Sequence, residues 1–137
     1  IFVNRCIQKV EIPSFIRKIC SFAFSRCKNL ISIEFNDDSN LCEIGNYAFY
    51  QSSILHAIIP RKTSEIGQFA FYECIKLVSI EFLCDGQLEF GYSSFQYNHK
   101  LKLISCPNAK FVSIDKFIGC YKNMSLFLAA GTEYKKL

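Results

Sequence analysis

Residues 66–82 read IGQFAFYECIKLVSIEF, and residues 19–35 read ICSFAFSRCKNLISIEF. Working outward, the same frame fits IGNYAFYQSSILHAIIP at 44–60, FGYSSFQYNHKLKLISC at 90–106 and VSIDKFIGCYKNMSLFL at 112–128. All five align on an anchor phenylalanine: Phe24, Phe49, Phe71, Phe95 and Phe117, at steps of 25, 22, 24 and 22 residues. Self-similarity at this period marks a repeat architecture, in which each unit is too small to bury its own apolar face and must stack on the next.

The columns around the anchor identify the core. Five positions before it stand Ile19, Ile44, Ile66, Phe90 and Val112; six after it stand Leu30, Leu55, Leu77 and Leu101, with Asn123 breaking the column. Nine after it come Ile33, Ile58, Ile80, Ile104 and Leu126. The small residues Ala23, Ala48, Ala70 and Ser94 before the anchor fit a position where two layers of backbone approach closely, and Lys116 interrupts them. CIQKVEIP, residues 6–13, places Ile7, Val10 and Ile12 in the same register, so the chain is expected to open inside a repeat of a longer array.

Within each unit the ending Leu-x-x-Ile-x-Phe or Ile alternates with period two, the pattern of a short strand with one buried face. Asn36, Asp37, Asp38, Ser39 and Asn40 follow one strand, Pro13 and Pro107 follow others, and Cys84, Asp85, Gly86 and Gln87 follow another; all are turn chemistry. The half-unit around the anchor is too short for a full helix, which predicts a helical turn, a 3₁₀ turn or an irregular arch. The expected fold is therefore an α/β-type repeat solenoid. It has one short parallel strand per coil, helical turns or irregular arches opposite, and a right-handed path. The whole chain, 1–137, reads as one array of about five coils plus the N-terminal half-repeat. Loss of pattern near 109–137 suits a degenerate capping coil.

Half of the 137 residues are hydrophobic and 20% are charged, which excludes a disordered chain. The net charge of +4 is small and scattered, without the blocks expected of a nucleic-acid binder. The longest largely apolar stretch, Met124 to Ala130, interrupted by Ser125, is far short of a membrane span, and IFVNRCIQKV lacks the charged start and apolar segment of a signal peptide, so any address signal is expected outside this sequence. No G-x-G-x-x-G or Walker-type loop holds phosphates.

The eight cysteines, Cys6, Cys20, Cys27, Cys42, Cys74, Cys84, Cys106 and Cys120, include no C-x-x-C pair, and only His56 and His99 are available to help bind a metal. Cys27, Cys74 and Cys120 share a repeat column with Ser52 and Asn98 and are expected to be buried fillers of a small slot, two coils apart and too distant to bridge. The other five lie in different columns, where an occasional disulfide is open in an oxidising compartment. Neither histidine has a Cys, Ser or acid at nucleophile spacing, and Asp37 with Asp38 reads as a solvated turn. No catalytic, metal or cofactor site is assigned, and the chain is read as a non-enzyme. Asn123, Met124 and Ser125 form an N-x-S glycosylation acceptor, meaningful only in a secreted chain.

FAFSRCKNLISIEF, YAFYQSSILHAIIP and FAFYECIKLVSIEF resemble the BspA-like leucine-rich repeat, I-G-x-x-A-F-x-x-C-x-x-L-x-x-I-x-I-P at about 23 residues. The resemblance covers essentially the whole chain, and LFLAAGTEYKKL resembles the closing segment of such arrays. It implies a surface-exposed protein of mucosal bacteria or parasitic protists, engaged in adhesion to host matrix, host cells or other microbes. It implies no catalytic residue.

Residues alternating with the buried Ile column must point away from the core. Eight after the anchor stand Lys9, Ser32, Ala57, Ser79, Leu103 and Ser125; ten after it, Glu11, Glu34, Ile59, Glu81, Ser105 and Phe127. This face is the candidate partner-binding surface, with Glu11, Glu34 and Glu81 favouring a basic protein partner and Ile59, Leu103 and Phe127 giving it an apolar end. Ser and Glu are equally ordinary solvated strand residues. The unit of Ile59 is one residue short before Pro60, so an inward Ile59 is the alternative there. A scaffold inside the cell and a structural spacer are the competing functions, and nothing in the sequence suggests nucleic acid or membrane insertion.

Overall fold

In a computed structural model, the described residues are 7–84, 88–106, 111–113, 125–128 and 133–135, with backbone alone described from 106 onward. The alternating ends of the repeats form strands β1 (Lys9–Ile12), β3 (Ser32–Phe35), β5 (His56–Ile59), β7 (Ser79–Phe82), β9 (Leu103–Cys106) and β11 (Ser125–Leu128). They pair in parallel, in chain order, as one six-stranded sheet. A second short strand follows each of the first four: β2 (Lys18–Ile19), β4 (Glu43–Ile44), β6 (Glu65–Ile66) and β8 (Glu89–Phe90). These make their own four-stranded parallel sheet, while β10 (Phe111–Ser113) pairs with β12 (Glu133–Lys135) in parallel. The expectation of one strand per coil is thereby corrected to two. The −5 column, Ile19, Ile44, Ile66 and Phe90, is the second strand seen end-on.

Around the anchor there is no helix among the described residues, which corrects the expected helical turns to the arch alternative. Every second amide of the arch bonds to the following coil instead of to its own. Phe22, Phe24 and Arg26 donate to the carbonyls of Asn46, Ala48 and Tyr50, and Tyr47, Phe49 and Gln51 to those of Gln68, Ala70 and Tyr72. The amides between them close four-residue turns, as Ala23 to Cys20, Ser25 to Phe22 and Cys27 to Phe24. A helix would direct all of these amides inside one coil; sharing them with the neighbour satisfies the buried backbone and locks the stack. The alternation requires left-handed backbone two residues either side of the anchor, seen at Phe22 and Arg26, Tyr47 and Gln51, Phe69 and Glu73, and Ser93 and Tyr97.

The anchors form a continuous internal stack, Phe24 on Phe49, Phe49 on Phe71 and Phe71 on Phe95, with ring centroids 5.3, 5.0 and 5.1 Å apart. Ala48, Ala70 and Ser94 are fully buried beside them, as the close approach of coils demands. Gly67 shows how tight this approach is: a Cβ there would lie 2.6 Å from the Asn46 amide nitrogen and the Gly45 carbonyl carbon of the coil before it.

The coil of Phe49 departs from the regular count. It has one residue fewer between anchor and strand, so His56 pairs with Ser32 and Ser79, Ala57 lies opposite Ile80, Ile58 opposite Glu81 and Ile59 opposite Phe82. Because strand side chains alternate, this shift exchanges the two faces. Ala57 and Ile59 are buried, Ile58 is 53% exposed, and Ile54 occupies the core place expected of Leu55, which lies at the surface. The regular count put Leu55 and Ile58 inside and Ala57 and Ile59 outside; the inward Ile59 is the alternative that holds.

Candidate partner-binding face

With the register settled, the outward face of the six-stranded sheet carries two rows. One runs Lys9, Ser32, His56, Ser79 and Leu103, the other Glu11, Glu34, Ile58, Glu81 and Ser105. Of the residues predicted for this face, Glu11, Ser32, Glu34, Ser79, Glu81, Leu103 and Ser105 stand on it. Ile59 does not, because the shortened coil turns it into the core against Phe82. Ser125 pairs with Leu103 and Phe127 with Ser105 in backbone register, while their side chains lie outside the described residues. His56 and Ile58 belong to the face in place of Ala57 and Ile59. Realigning the unit on Pro60 instead of on Phe49 identifies both.

The N-terminal end of the face is an ionic lattice. The Lys9 ammonium reaches Glu34 at 3.1 Å and Glu11 at 3.4 Å, and these hydrogen bonds hold its pKa above the ordinary value. In the middle, His56 Nδ1 and the Ser79 hydroxyl are hydrogen-bonded at 2.7 Å, fixing the imidazole on the sheet. Beyond them the apolar side chains of Ile58 and Leu103 are exposed.

β3 and β5 are in register only at Ser32 and His56, whereas β5 and β7 match over four residues. Eleven positions separate Ser32 from Glu43, against nine between His56 and Glu65, so the turn Asn36–Asn40 is longer than its counterpart at Pro60. Pro60 also has no amide to extend the ladder. The strands consequently part beyond Ser32 and open a crevice of about 580 Å³, whose lining includes the apolar Phe35, Ile58, Pro60 and Leu83 and the charged Glu34, Asp37, Glu81 and Arg61. A shallower hollow of about 350 Å³ continues over β5, β7 and β9 to Leu103.

Two other surfaces were not singled out from the sequence. On the arch, Phe22, Tyr47 and Phe69 stack face to face with centroids 4.8 and 5.0 Å apart, and Tyr50 stacks on Tyr72 at 5.5 Å beside them. Arg26 lies over the Tyr50 ring at 5.7 Å. Phe22, Tyr47 and Phe69 hold left-handed backbone that glycine would adopt more easily, so the ring contacts offset a local conformational cost of about 1 kcal/mol each. The signal was present in the columns two before and one after the anchor. On the four-stranded sheet Lys18, Glu43, Glu65 and Glu89 are in register, with Lys18 bonded to Glu43 at 3.0 Å.

The cysteine column behaves as a hydrogen-bonded slot. Cys74 is fully buried, its thiol donates to the Phe49 carbonyl at 3.0 Å, and burial pushes its pKa up to about 12. A thiol so protonated is a poor nucleophile. Cys20, Cys27, Cys42, Cys74 and Cys84 are thiols, while Cys6, Cys106, Cys120 and the N-x-S acceptor at Asn123 have no described side chain. Among the described residues no three His, Cys, Asp or Glu side chains are placed to hold a metal ion, and no helix is long and apolar enough to cross a membrane.

The model of the BspA type leucine rich repeat region matches residues 1–124 in six copies. The chain belongs to this family. The BspA-type array also has solved counterparts. A leucine-rich repeat protein from Bacteroides ovatus superposes with a TM-score of 0.75 at 24% identity, over 93% of this chain and 32% of that one. A leucine rich cell surface protein from Faecalibacterium prausnitzii superposes with a TM-score of 0.56 at 17% identity, over 88% of this chain and 53% of that one. The chain thus spans about a third of the first and about half of the second, and at these identities the likeness is one of fold. No curated protein matches the sequence.

Proposed function

We propose that this BspA-type segment is a non-catalytic protein-binding module of a cell-surface adhesin, contacting host matrix, host cells or other microbes through the outward face of its six-stranded sheet. The observation that carries this reading is the face itself. It is a parallel sheet whose described outward residues set the carboxylates of Glu11, Glu34 and Glu81 beside the exposed apolar Ile58 and Leu103. Mixed acidic and apolar surface of this kind suits a protein partner better than a spacer, whose faces need only be solvated. The description of the Faecalibacterium counterpart as a cell surface protein supports the location.

The test is binding of the purified chain to immobilised extracellular-matrix proteins and to epithelial cells, beside the Glu34→Lys/Glu81→Lys double variant. Saturable binding that the charge reversal abolishes is expected. Binding unchanged in the variant removes the sheet face from the reading, and failure to bind any of these surfaces favours the scaffold or spacer.

A further inference from the structure

The crevice between β3 and β5 exists because one coil is a residue short before its strand and its neighbour is longer after it. A parallel ladder otherwise leaves no gap in the sheet. Its lining brings the apolar Phe35, Ile58, Pro60 and Leu83, with Ile58 53% exposed, together with three carboxylates and one guanidinium, that of Arg61. Glu34 is already engaged by Lys9 at 3.1 Å, whereas Asp37 and Glu81 form no ion pair among the described residues. A crevice that combines apolar side chains with carboxylates free of ion pairs among the described residues matches a side chain with an aliphatic stem and a cationic head, which buries the stem and keeps the charge near water.

We infer that this crevice is a socket for a lysine or arginine side chain of a protein partner lying across the sheet. The stem rests on Ile58 and Leu83, and the head is held by Asp37 and Glu81. The inference rests on the sheet-face reading and gives it a partner chemistry. The crevice volume of about 580 Å³ exceeds one such side chain, so flanking residues of the partner enter with it.

Methyl NMR on the full chain tests it, with isotope-labelled Ile and Leu methyls titrated with the peptides acetyl-Val-Lys-Val-amide, acetyl-Val-Glu-Val-amide and acetyl-Val-norleucine-Val-amide. The lysine peptide is expected to move the Ile58 methyl saturably, the norleucine peptide weakly and the glutamate peptide not at all. Replacing both carboxylates in Asp37→Asn/Glu81→Gln is expected to weaken the lysine peptide roughly fivefold, the size of effect that exposed charge pairs support. An Ile58 methyl that does not move, that moves equally with the glutamate peptide, or that responds unchanged in the double variant overturns the socket. A shift confined to Leu103 overturns the socket and leaves the sheet face standing, whereas a shift confined to Ile75 on the arch side overturns both.

Discussion

The Asn98 side-chain carbonyl accepts the Cys74 amide at 2.7 Å, and its NH₂ donates to the Phe95 carbonyl at 2.9 Å, both inside the core. Cys74 in turn serves the Phe49 carbonyl. At Ser52, Cys74 and Asn98 the column thus holds a small hydrogen-bonding side chain rather than sulfur as such: Cys74 and Asn98 reach backbone, and Ser52 reaches the Cys74 thiol at 3.6 Å. Asn98 departs from the repeat pattern without departing from its physics.

Asn98→Ala would leave the buried Cys74 amide without its acceptor and remove the donor that Asn98 offers the Phe95 carbonyl. A buried group that loses its partner costs about 1–3 kcal/mol, so a loss of roughly 2 kcal/mol is expected in urea unfolding at constant slope. A change below about 0.5 kcal/mol would show that water replaces the amide.

Gly67→Ala tests how closely the coils approach. Its Cβ would meet backbone of the preceding coil at 2.6 Å, and backbone cannot swing aside as a flexible side chain does. Separation of two coils at the arch is expected, with a melting temperature lower by about 10 °C or more, the scale of overpacking by roughly 2–3 kcal/mol in a chain this size. Differential scanning calorimetry reads it directly.

The period, the parallel strands and the phenylalanine stack were legible because each rests on one residue type recurring in one column. The arch was not, since helix and turn sequences look alike over six residues; what separates them is the destination of every second amide, a contact with the next coil. Ile54-Leu55 and Ala57-Ile58-Ile59 are apolar at successive positions, so either register fills a core, and the anchor count chose the wrong one. Pairing of His56 with Ser32 and Ser79 decides it. The arch aromatics, exposed Phe22 and half-buried Tyr47 and Phe69, were not legible because their column lies outside the buried ones that set the period.

Substitution of the adjacent isoleucines separates the two registers. Ile59→Ala removes a side chain that is 1% exposed and is expected to lose about 3 kcal/mol, while Ile58→Ala, at 53% exposure, is expected to lose no more than about 0.5 kcal/mol. Chemical denaturation of the pair checks it, and the opposite order would restore the regular count.

The Cys74 thiol supplies a pH dependence whose sign is fixed by its burial. Its folded pKa of about 12 stands above the ordinary 9.0, so the folded chain keeps the proton where the unfolded chain releases it. Stability from this group is therefore fully present below pH 9 and is lost progressively as pH rises from there toward 12. Cys74→Ser removes the titration while keeping a small donor in the slot, as Ser52 does in the neighbouring coil. Between pH 8 and 10.5 the wild-type free energy of unfolding is expected to fall more steeply than that of the variant, and parallel curves would place the Cys74 thiol in a solvated site. Iodoacetamide at pH 8 gives the kinetic counterpart: exposed Cys20 is expected to alkylate first in the native chain, and Cys74 only at the rate of unfolding.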